Sequence, residues 1–546
     1  MEPGVPLSAG VGTFGIRRTL ACAWPGMALA CAVLVPFLTK AFTVDDTLFL
    51  RQAEHALHAF LHPAAFDIVW FDVPVRLSAI MPSGPVMAWL LIPTAALGGS
   101  EVVGHLTSLL LYLVAIAATS SLALRLGFRR TEARLAGLFM VAMPASLGMA
   151  ATVMPDLAAM TLGVLGLDQL VHWSSSRRWL SGAIAAVTLG LAPLARSHLL
   201  GILGVGVLLL VQGSPFACRS WLSGPPARWL PLAGASVVLA ILSWVGHEPG
   251  EAGVVGAMHA MASAGRVDQN ILAFFSHWTW SMPFALGWCL LRWRQIVVGR
   301  VVWMVVPTAL LLLGNAGRHG AVMLGVAVAI GLAAVTDALV DGFEARDARR
   351  FGLACWLLLA LPLVFYIHLP PKYHVASAPA AAMLLAHAAR RAGRWWGRAV
   401  LIPVSSAGLI LGVLIVRADD TLAGFERDVA QTEISPRVAA GERVWFSGHW
   451  GFQWYAERAG ARPLVRNSQA ATRGDIILVD DQAFNQGLID DYPGRRLLGF
   501  RALASPGGRI MNREANAGFY SNEWGDLPWT WSRNTEANRI SFWIVE

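Results

Sequence analysis

"WPGMALACAVLVPFLTKAFTVDDTLFLRQAEHAL", residues 24–57, joins an apolar run to a polar segment that contains two adjacent aspartates. The run at 24–38 is the first of many, and apolar stretches of about 20 residues, enough for a helix to cross the hydrocarbon core, recur up to about residue 416. Hydrophobic residues make up 56% of the 546 and charged residues only 14%, against about 25% charged residues in soluble domains. We therefore predict an α-helical polytopic membrane protein.

Arginine clusters set the predicted topology. Arg17 and Arg18 precede the first apolar run, so we expect a cytoplasmic amino terminus, because cytoplasmic loops collect positive charge. Later arginine clusters lie between apolar runs, at residues 125–134, 177–178, 219–228, 292–300, 346–350 and 390–398. Placing all of them inside predicts about thirteen spans in a bacterial inner membrane, with a periplasmic carboxy-terminal domain. The net charge of +8 is thereby explained without a nucleic-acid partner.

The composition divides the chain near residue 417. We predict a transmembrane domain at residues 1–417, whose first external loop covers 39–104, and a soluble α/β domain at 418–546. The apolar stretch 86–97 in that loop is too short to span, so we expect it to lie along the membrane surface. In the C-terminal domain "RVWFSG", "GDIILVDD" and "RISFWIVE" predict strands, and "HWGFQWYAERAG" predicts a helix closed by Gly460.

Two segments of the C-terminal domain are unusually rich in tryptophan. The residues concerned are Trp450, Trp454, Trp524, Trp529 and Trp531. They could stack on sugar rings, but we favour a place in the domain core or at the membrane interface. The five cysteines all lie outside this domain, so disulfides are not expected to hold it together.

Three aspartates follow apolar runs on the predicted external face. Asp45 and Asp46 come after the first span, and Asp156 opens a later external turn in "TVMPDLAAMTLG". Adjacent helical residues point about 100° apart, so one of the pair could face a cavity as a general base while the other caps the helix. The alternative for Asp45 and Asp46 is that both only cap that helix, and for Asp156 that it is an N-cap behind Pro155.

Three cations lie on the same predicted face. Arg196 interrupts an apolar region in "LAPLARSHLL", and Arg318 and Lys372 each follow a span. The alternative for each is that the side chain only reaches toward the membrane interface. Carboxylates and cations together suit a reaction in which a hydroxyl loses its proton while a phosphate leaving group gathers charge.

The order and side of these motifs resemble the GT-C glycosyltransferases of the family-39 type, which include protein O-mannosyltransferases and aminoarabinose transferases. In that group an acidic pair follows the first span, as "VDDTLFLRQAEHAL" does here, and a proline-rich stretch similar to "MPSGPVMAWLLIP" comes later. An acidic residue opens the second external loop, as Asp156 does in "MPDLAAM". "LAPLARSHLL" and "KYHVASAPAAAML" are similar to two later motifs of the family, and the resemblance covers most of residues 20–414.

The resemblance implies a sugar donor carried on polyprenyl phosphate and transfer with inversion to an acceptor hydroxyl. Asp45 would be the general base, and Arg196, Lys372 and Tyr373 would bind the donor phosphate, with Arg318 as a further candidate. Two features depart from the family. Asp46 stands where a glutamate is usual, and "IMPSGP" lacks the basic residue of many aminoarabinose transferases, so lipid A aminoarabinose transfer is not supported.

The acceptor and any metal stay open at this stage. A lipid, a glycan or a protein could accept the sugar, and membrane lipids surround the chain. A predicted helix carries His55, His58 and His62 on one face; they are weak candidates for a divalent cation, and we favour the polar face of an interfacial helix. The competing functions are a secondary transporter, since charged groups near spans also mark substrate paths, and an O-antigen ligase or polymerase.

Overall fold

Helices make up most of this computed structural model, and a mixed β-sheet lies near the carboxy terminus. The structure describes residues 16–70, 72–80, 84–211, 225–245, 266–293, 295–296, 321–468, 470–483, 485, 487–503 and 506–546. Arg318 lies outside these described residues.

The helices of the membrane part are connected mostly by short turns. From the amino terminus to the middle of the chain they are α1 Ile16–Leu34, α2 Asp46–Ala56, α3 Leu77–Ile80, α4 Val86–Leu90, α5 Ile92–Ala96, α6 Glu101–Arg125, α7 Arg130–Val141, α8 Pro144–Ala150, α9 Pro155–Ser176, α10 Trp179–Ala195 and α11 Gly201–Leu210. They continue as α12 Leu230–Val245, α13 Val267–Trp280, α14 Phe284–Leu291, α15 Ala321–Glu344, α16 Ala348–Trp356, α17 Ala378–Arg391 and α18 Arg394–Val429.

Several of these helices are long and apolar enough to cross a membrane. Within the described residues there are six, or seven if the bent pair α7 and α8 counts as one span. The six are Arg17–Phe37, Glu101–Arg125, Pro226–Val245, Val322–Glu344, Ala348–Phe365 and Arg394–Ala439. Two shorter apolar helices, α10 and α11, flank Arg196, whose extended backbone interrupts the helical run. The count of about thirteen spans stays a prediction.

Arginines meet buried or partly buried carboxylates where α6, α15 and α17 end and where α7 and α16 begin. The ion pairs in this region are Arg125–Asp168, Arg390–Glu132, Arg292–Asp337, Arg391–Asp341 and Arg350–Asp341. The candidate site residues lie instead where α9 and α17 begin, because Asp156 is in the first turn of α9 and Lys372 precedes α17. This grouping agrees with the predicted separation of basic loops from the site, while the cytoplasmic assignment itself stays a prediction.

The loop at 39–104, which the sequence predicts to be external, is a compact structure of short elements. It contains α2, a hairpin of β1 Asp67–Trp70 and β2 Val73–Arg76, and then α3, α4 and α5. The stretch predicted to lie along the membrane forms the two short helices α4 and α5, which are too short to span. One prediction is wrong here: α2 ends at Ala56, so His58 and His62 lie beyond the helix that was expected to carry them.

The C-terminal domain contains a five-stranded sheet in the order β4-β3-β5-β11-β6. The strands of the domain are β3 Val444–Ser447, β4 Arg462–Pro463, β5 Ile476–Asp480, β6 Arg495–Leu503, β7 Gly507–Arg509, β8 Met511–Asn512, β9 Ala517–Gly518, β10 Thr530–Ser532 and β11 Asn538–Val545. The predicted strands are confirmed as β3, β5 and β11. The predicted helix is confirmed as Trp450–Arg458, called α20, with Gly460 at a φ of +94° just beyond its end.

The last spanning helix runs without a break through the predicted domain boundary at 417/418. Helix α18 reaches Val429, and a π-helical turn and a final short helix, α19 Ser435–Ala439, continue it toward the sheet. The helix therefore carries Asp419 and Glu426 out of the predicted transmembrane domain and into contact with the C-terminal domain. That residues 418–546 form a water-soluble domain stays a prediction.

A buried carboxylate on this helix joins three parts of the chain. Asp419 forms an ion pair with Lys40, Nζ to Oδ2 at 2.8 Å, and both side chains are almost fully buried. Thr43 donates its hydroxyl to Oδ1 of Asp419 at 3.0 Å, and Tyr520 of the C-terminal domain donates its hydroxyl to Oδ2 at 2.9 Å. The first external loop, the last span and the C-terminal domain are thereby fixed to one another.

We expect Lys40→Met to destabilise the protein by about 3–5 kcal/mol, because it leaves the Asp419 carboxylate buried without its ammonium partner. The measurement is thermal or chemical unfolding of the purified chain in detergent. The double variant Lys40→Met/Asp419→Leu should recover much of the loss. Arg496→Met, which removes an exposed guanidinium from its pair with the exposed carboxylate of Glu546, is the control and should cost less than about 1 kcal/mol. Equal stability of the two single variants would contradict the prediction.

Candidate functional site

Asp45 and Lys372 form an ion pair at the centre of the candidate site. Asp45 occupies the N-cap position of α2, but its side chain points to Lys372, with 2.9 Å between Oδ2 and Nζ. Lys372 lies in the 3-10 helix Pro371–Ser377, which two prolines start and which precedes α17. The lysine side chain is buried, whereas about a quarter of the Asp45 side chain is exposed, 25%. The carboxylate is therefore the more accessible member of the pair.

A second ion pair, Asp156 with Arg196, lies beside the first. Asp156 is in the first turn of α9 behind Pro155, and Arg196 follows α10 in an extended conformation. The contact is bidentate, with Nε to Oδ1 at 3.0 Å and Nη2 to Oδ2 at 2.6 Å. Two parallel hydrogen bonds fix the plane of the guanidinium. Arg196 is 12% exposed, so most of its side chain is buried within the protein.

Tyr373 connects the two pairs. Its ring lies 5.3 Å from the guanidinium carbon of Arg196 and 5.7 Å from Nζ of Lys372, distances at which a cation is attracted to an aromatic face. Its hydroxyl lies 3.5 Å from Nε2 of His368. The sequence pattern predicted the positions of these cations, and the structure brings both of them onto one tyrosine.

The pKa values of the two adjacent aspartates are shifted in opposite directions. Burial acts to raise the pKa of Asp45, but the charge and hydrogen bond of Lys372, together with Arg196, outweigh it and hold that pKa below its ordinary value. Burial raises the pKa of Asp46 to about 7, because Lys40 and two backbone amides offset only part of the cost of burying the charge. Asp45 is therefore ionised at neutral pH, whereas Asp46 is close to half protonated.

Asp46 links the loop after α1 to the segment that precedes α9. Its Oδ2 accepts a hydrogen bond from the backbone N–H of Thr43 at 3.1 Å, and its Oδ1 accepts one from Val153 at 2.8 Å. Val153 lies just before α9, which carries Asp156. The fully buried Asp46 thus holds the two carboxylate-bearing segments together and is not open to a substrate.

The C-terminal domain reaches this site, which the sequence did not indicate. Nδ1 of His368 lies 3.2 Å from the hydroxyl of Ser521, and the backbone N–H of Leu369 donates to Oδ1 of Asn522 at 2.9 Å. Asn522 in turn donates to Oδ1 of Asn270 at 3.2 Å. The signal that could have found this contact is the polar "YSN" triplet inside the aromatic segment "GFYSNEW".

The other candidates separate into core residues and surface residues. Trp454 and Trp524 are buried in the large apolar cluster formed with the membrane helices, not in the domain's own core, while Trp531 is 57% exposed. Within the described ranges no group of three or more His, Cys, Asp or Glu side chains could hold a metal ion. The imidazole of His55 packs on Phe66, with ring centres 5.1 Å apart.

We expect Asp46 to make the folded state less stable as the pH rises. The folded pKa of about 7 exceeds the ordinary value of 3.8, so the folded state binds more protons across that interval and its stability falls from about pH 4 to pH 7. The slope approaches about 1.4 kcal/mol per pH unit for one group. Asp46→Asn should remove this slope from the pH dependence of the free energy of unfolding, measured by chemical denaturation at several pH values. Asp67→Asn, at an exposed position of the same loop, should leave it unchanged. An unchanged slope in Asp46→Asn would refute this origin.

Comparison with known proteins gives matches in structure alone. No protein-family model matches the sequence, and no curated protein matches it. The chain is similar to ArnT from Cupriavidus metallidurans in the apo state, with a TM-score of 0.50, 14% identity, and coverage of 88% of this chain and 96% of that one. The same protein bound to undecaprenyl phosphate gives a TM-score of 0.45, 11% identity, and coverage of 96% and 98%.

A second similar structure is the archaeal oligosaccharyltransferase AglB from Archaeoglobus fulgidus, in complex with an inhibitory peptide and a dolichol-phosphate. Its TM-score is 0.46 at 12% identity, with coverage of 85% of this chain and 69% of that one. ArnT and AglB are both GT-C fold glycosyltransferases. The apo ArnT match, which extends over nearly the whole of both chains, shows that this chain has the GT-C fold that its sequence predicts.

Proposed function

We propose that this chain is a membrane glycosyltransferase that moves a sugar from a polyprenyl-phosphate donor to an acceptor hydroxyl on the periplasmic face. The observation that supports it best is the pair of carboxylate–cation contacts, Asp45 with Lys372 and Asp156 with Arg196, gathered around Tyr373. One partly exposed carboxylate beside two cations provides a general base and a phosphate site close to one another. The GT-C fold agrees with this chemistry.

The donor phosphate would lie between Lys372 and Arg196. Both are charged and directed to the same tyrosine ring, and the Tyr373 hydroxyl offers a further hydrogen bond. Asp156 would act as a positioning residue, because its bidentate contact fixes the plane of the guanidinium that faces the phosphate. Arg318 remains a further candidate for phosphate binding. The polyprenyl chain would extend along the apolar helices into the bilayer.

The proposed reaction is a single displacement. Asp45 removes the proton of the acceptor hydroxyl, the hydroxyl oxygen forms a bond to the anomeric carbon, and the bond between that carbon and the phosphate oxygen breaks. The electron pair stays on the phosphate oxygen, so the products are the glycosylated acceptor, protonated Asp45 and polyprenyl phosphate. The leaving phosphate gains a negative charge, which Lys372 and Arg196 stabilise. Attack from the face opposite the phosphate inverts the anomeric carbon.

Donor binding would also strengthen the base. Without donor, Lys372 is bonded to Asp45 and lowers the pKa of its carboxyl. A donor phosphate competes for the same ammonium, and when Lys372 turns to the phosphate, the burial of Asp45 raises that pKa again. Asp45 therefore becomes a stronger base only when the donor is in place.

The location of the site supports the proposed topology. Asp45, Asp156 and Lys372 lie at the helix ends away from the arginine ion pairs, and the C-terminal domain contacts this same end through Ser521. If the arginine-rich end faces the cytoplasm, the site and the domain at 418–546 face the periplasm. The donor and acceptor would then meet on that face of a bacterial inner membrane.

We expect Asp45→Asn to reduce sugar transfer by about 10²- to 10⁴-fold, because an amide cannot accept the hydroxyl proton. The assay uses purified protein and a panel of undecaprenyl-phosphate-linked sugars, and it follows release of undecaprenyl phosphate. Affinity for undecaprenyl phosphate should be retained. Asp67→Asn is the matched control in the same loop, since its side chain is 68% exposed.

If the wild type releases undecaprenyl phosphate from no donor and instead carries a labelled solute across proteoliposome membranes, the transferase proposal is overturned in favour of a secondary transporter. Full activity of Asp45→Asn would show that Asp45 is not the general base, and it would not contradict the glycosyltransferase proposal.

We expect Lys372→Gln to shift the acid limb of the kcat/KM profile to higher pH. Lys372 lowers the pKa of Asp45, so its loss raises that pKa and the base is protonated over a wider range of acidic pH. Lys372→Arg keeps the charge and should leave the limb near its wild-type position. The profile is measured from undecaprenyl phosphate release at subsaturating donor. An unmoved limb in Lys372→Gln would show that the lysine does not tune the base.

A further inference from the structure

The segment 519–523 of the C-terminal domain lies against the loops that carry the candidate site. Ser521 contacts His368, Asn522 contacts Leu369 and Asn270, and Glu523 forms an ion pair with Arg266 at 3.3 Å. Each of these partners precedes or begins a helix at the site end of the membrane part. The segment therefore forms part of the boundary of the site.

A buried anchor fixes the amino-terminal end of this segment. Phe519 is fully buried and packs against Gly148 of α8, and Tyr520 is buried and bonded to Asp419. Burial, followed by the charges of Asp419, Asp46 and Asp45, raises the pKa of the Tyr520 hydroxyl. Tyr520 is therefore within electrostatic reach of the proposed base, one residue before the side chain that faces His368.

His368 connects the segment to the proposed phosphate site. Its Nδ1 meets the Ser521 hydroxyl at 3.2 Å and its Nε2 lies 3.5 Å from the Tyr373 hydroxyl. Burial, and then the charge of Lys372, lowers the pKa of this imidazole to about 3, so the ring is neutral. A neutral ring has one donor and one acceptor nitrogen, and the Ser521 hydroxyl keeps unused hydrogen-bonding capacity.

The polar groups in this region are mostly neutral. The Ser521 hydroxyl, the Asn522 and Asn270 amides and the His368 imidazole both donate and accept hydrogen bonds, and the charges of Arg266 and Glu523 are paired with each other. A sugar ring carries several hydroxyls that also donate and accept. An array of neutral groups therefore suits a carbohydrate better than a charged headgroup.

We infer that the segment 519–523 forms part of the acceptor site, where Ser521 and Asn522 bind the hydroxyls of a carbohydrate acceptor and Tyr520 positions them. This inference rests on the proposed transferase function. The donor enters from the bilayer with its lipid, so the acceptor has to approach Asp45 from the side covered by the water-soluble domain. Segment 519–523 is the part of that domain that contacts the His368 loop.

The test uses the purified full-length chain in detergent. Undecaprenyl phosphate is the probe for the donor site, and methyl glycosides and a serine-containing peptide are the probe acceptors. The variants are Ser521→Ala, Asn522→Ala and Tyr520→Phe, with Ser521→Thr as the conservative replacement. Ser468→Ala is the matched control, an exposed serine of the same domain whose hydroxyl bonds only locally to Val465.

We expect Ser521→Ala and Asn522→Ala to raise the KM for the methyl glycoside about fivefold to tenfold, the effect of one lost hydrogen bond. Affinity for undecaprenyl phosphate should stay within about twofold, and Ser521→Thr should restore the KM. Tyr520→Phe should raise the acceptor KM more than it lowers kcat, which a general loss of stability would not do. Ser468→Ala should match the wild type.

The outcomes separate the two proposals. Transfer by the wild type with an unchanged acceptor KM in both alanine variants overturns the acceptor site and leaves the transferase standing. So does a loss of undecaprenyl phosphate affinity in Ser521→Ala, which would move the segment to the donor site. Transfer to the peptide but to no glycoside overturns the carbohydrate assignment. Failure of the wild type to bind undecaprenyl phosphate or to use any donor overturns the transferase, and the inference with it.

Discussion

The buried ion pair between Lys40 and Asp419 is the constraint on which the geometry of the site depends. Moving charges out of water costs several kcal/mol per ion, so such a pair persists only when further hydrogen bonds satisfy it. Asp419 receives three donors, from Lys40, Thr43 and Tyr520. Because Thr43 and Tyr520 belong to distant parts of the chain, the loop that carries Asp45 has a fixed position relative to the C-terminal domain.

Lysine is rare in this protein, and both lysines are buried in ion pairs. The two are Lys40 and Lys372, and each pairs with a carboxylate. An ammonium is a compact charge on a flexible stem, whereas a guanidinium holds a carboxylate in a planar, two-bond contact. This difference matches the proposed roles. The flexible Lys372 would release Asp45 and bind the donor phosphate, whereas Asp156 holds the Arg196 guanidinium in a fixed orientation. The same exchange explains how a carboxylate can be kept ionised beside cations and still act as a base.

The C-terminal domain is part of the site in this arrangement. Its sheet packs on the continuation of the last spanning helix, and its segment 519–523 extends back to the loop that carries His368. A domain fixed in this way limits the direction from which an acceptor can approach Asp45. It also excludes water from the buried carboxylates around Asp419, which strengthens every charge interaction there.

The sequence by itself determined the membrane helices, the C-terminal α/β domain with three of its strands, and the positions of Asp45, Asp156, Arg196 and Lys372 where helices begin or end. These follow from local properties: the length of apolar runs, the period of side chains and the residues that stop a helix. Only the tertiary structure decided which charges meet. Asp45 and Lys372 are 327 residues apart, and no local pattern encodes such a pairing. The end of α2 at Ala56 and the contact of Ser521 with His368 were likewise decided by packing between segments distant in sequence, because the free energy that fixes them comes from contacts made only in the folded chain.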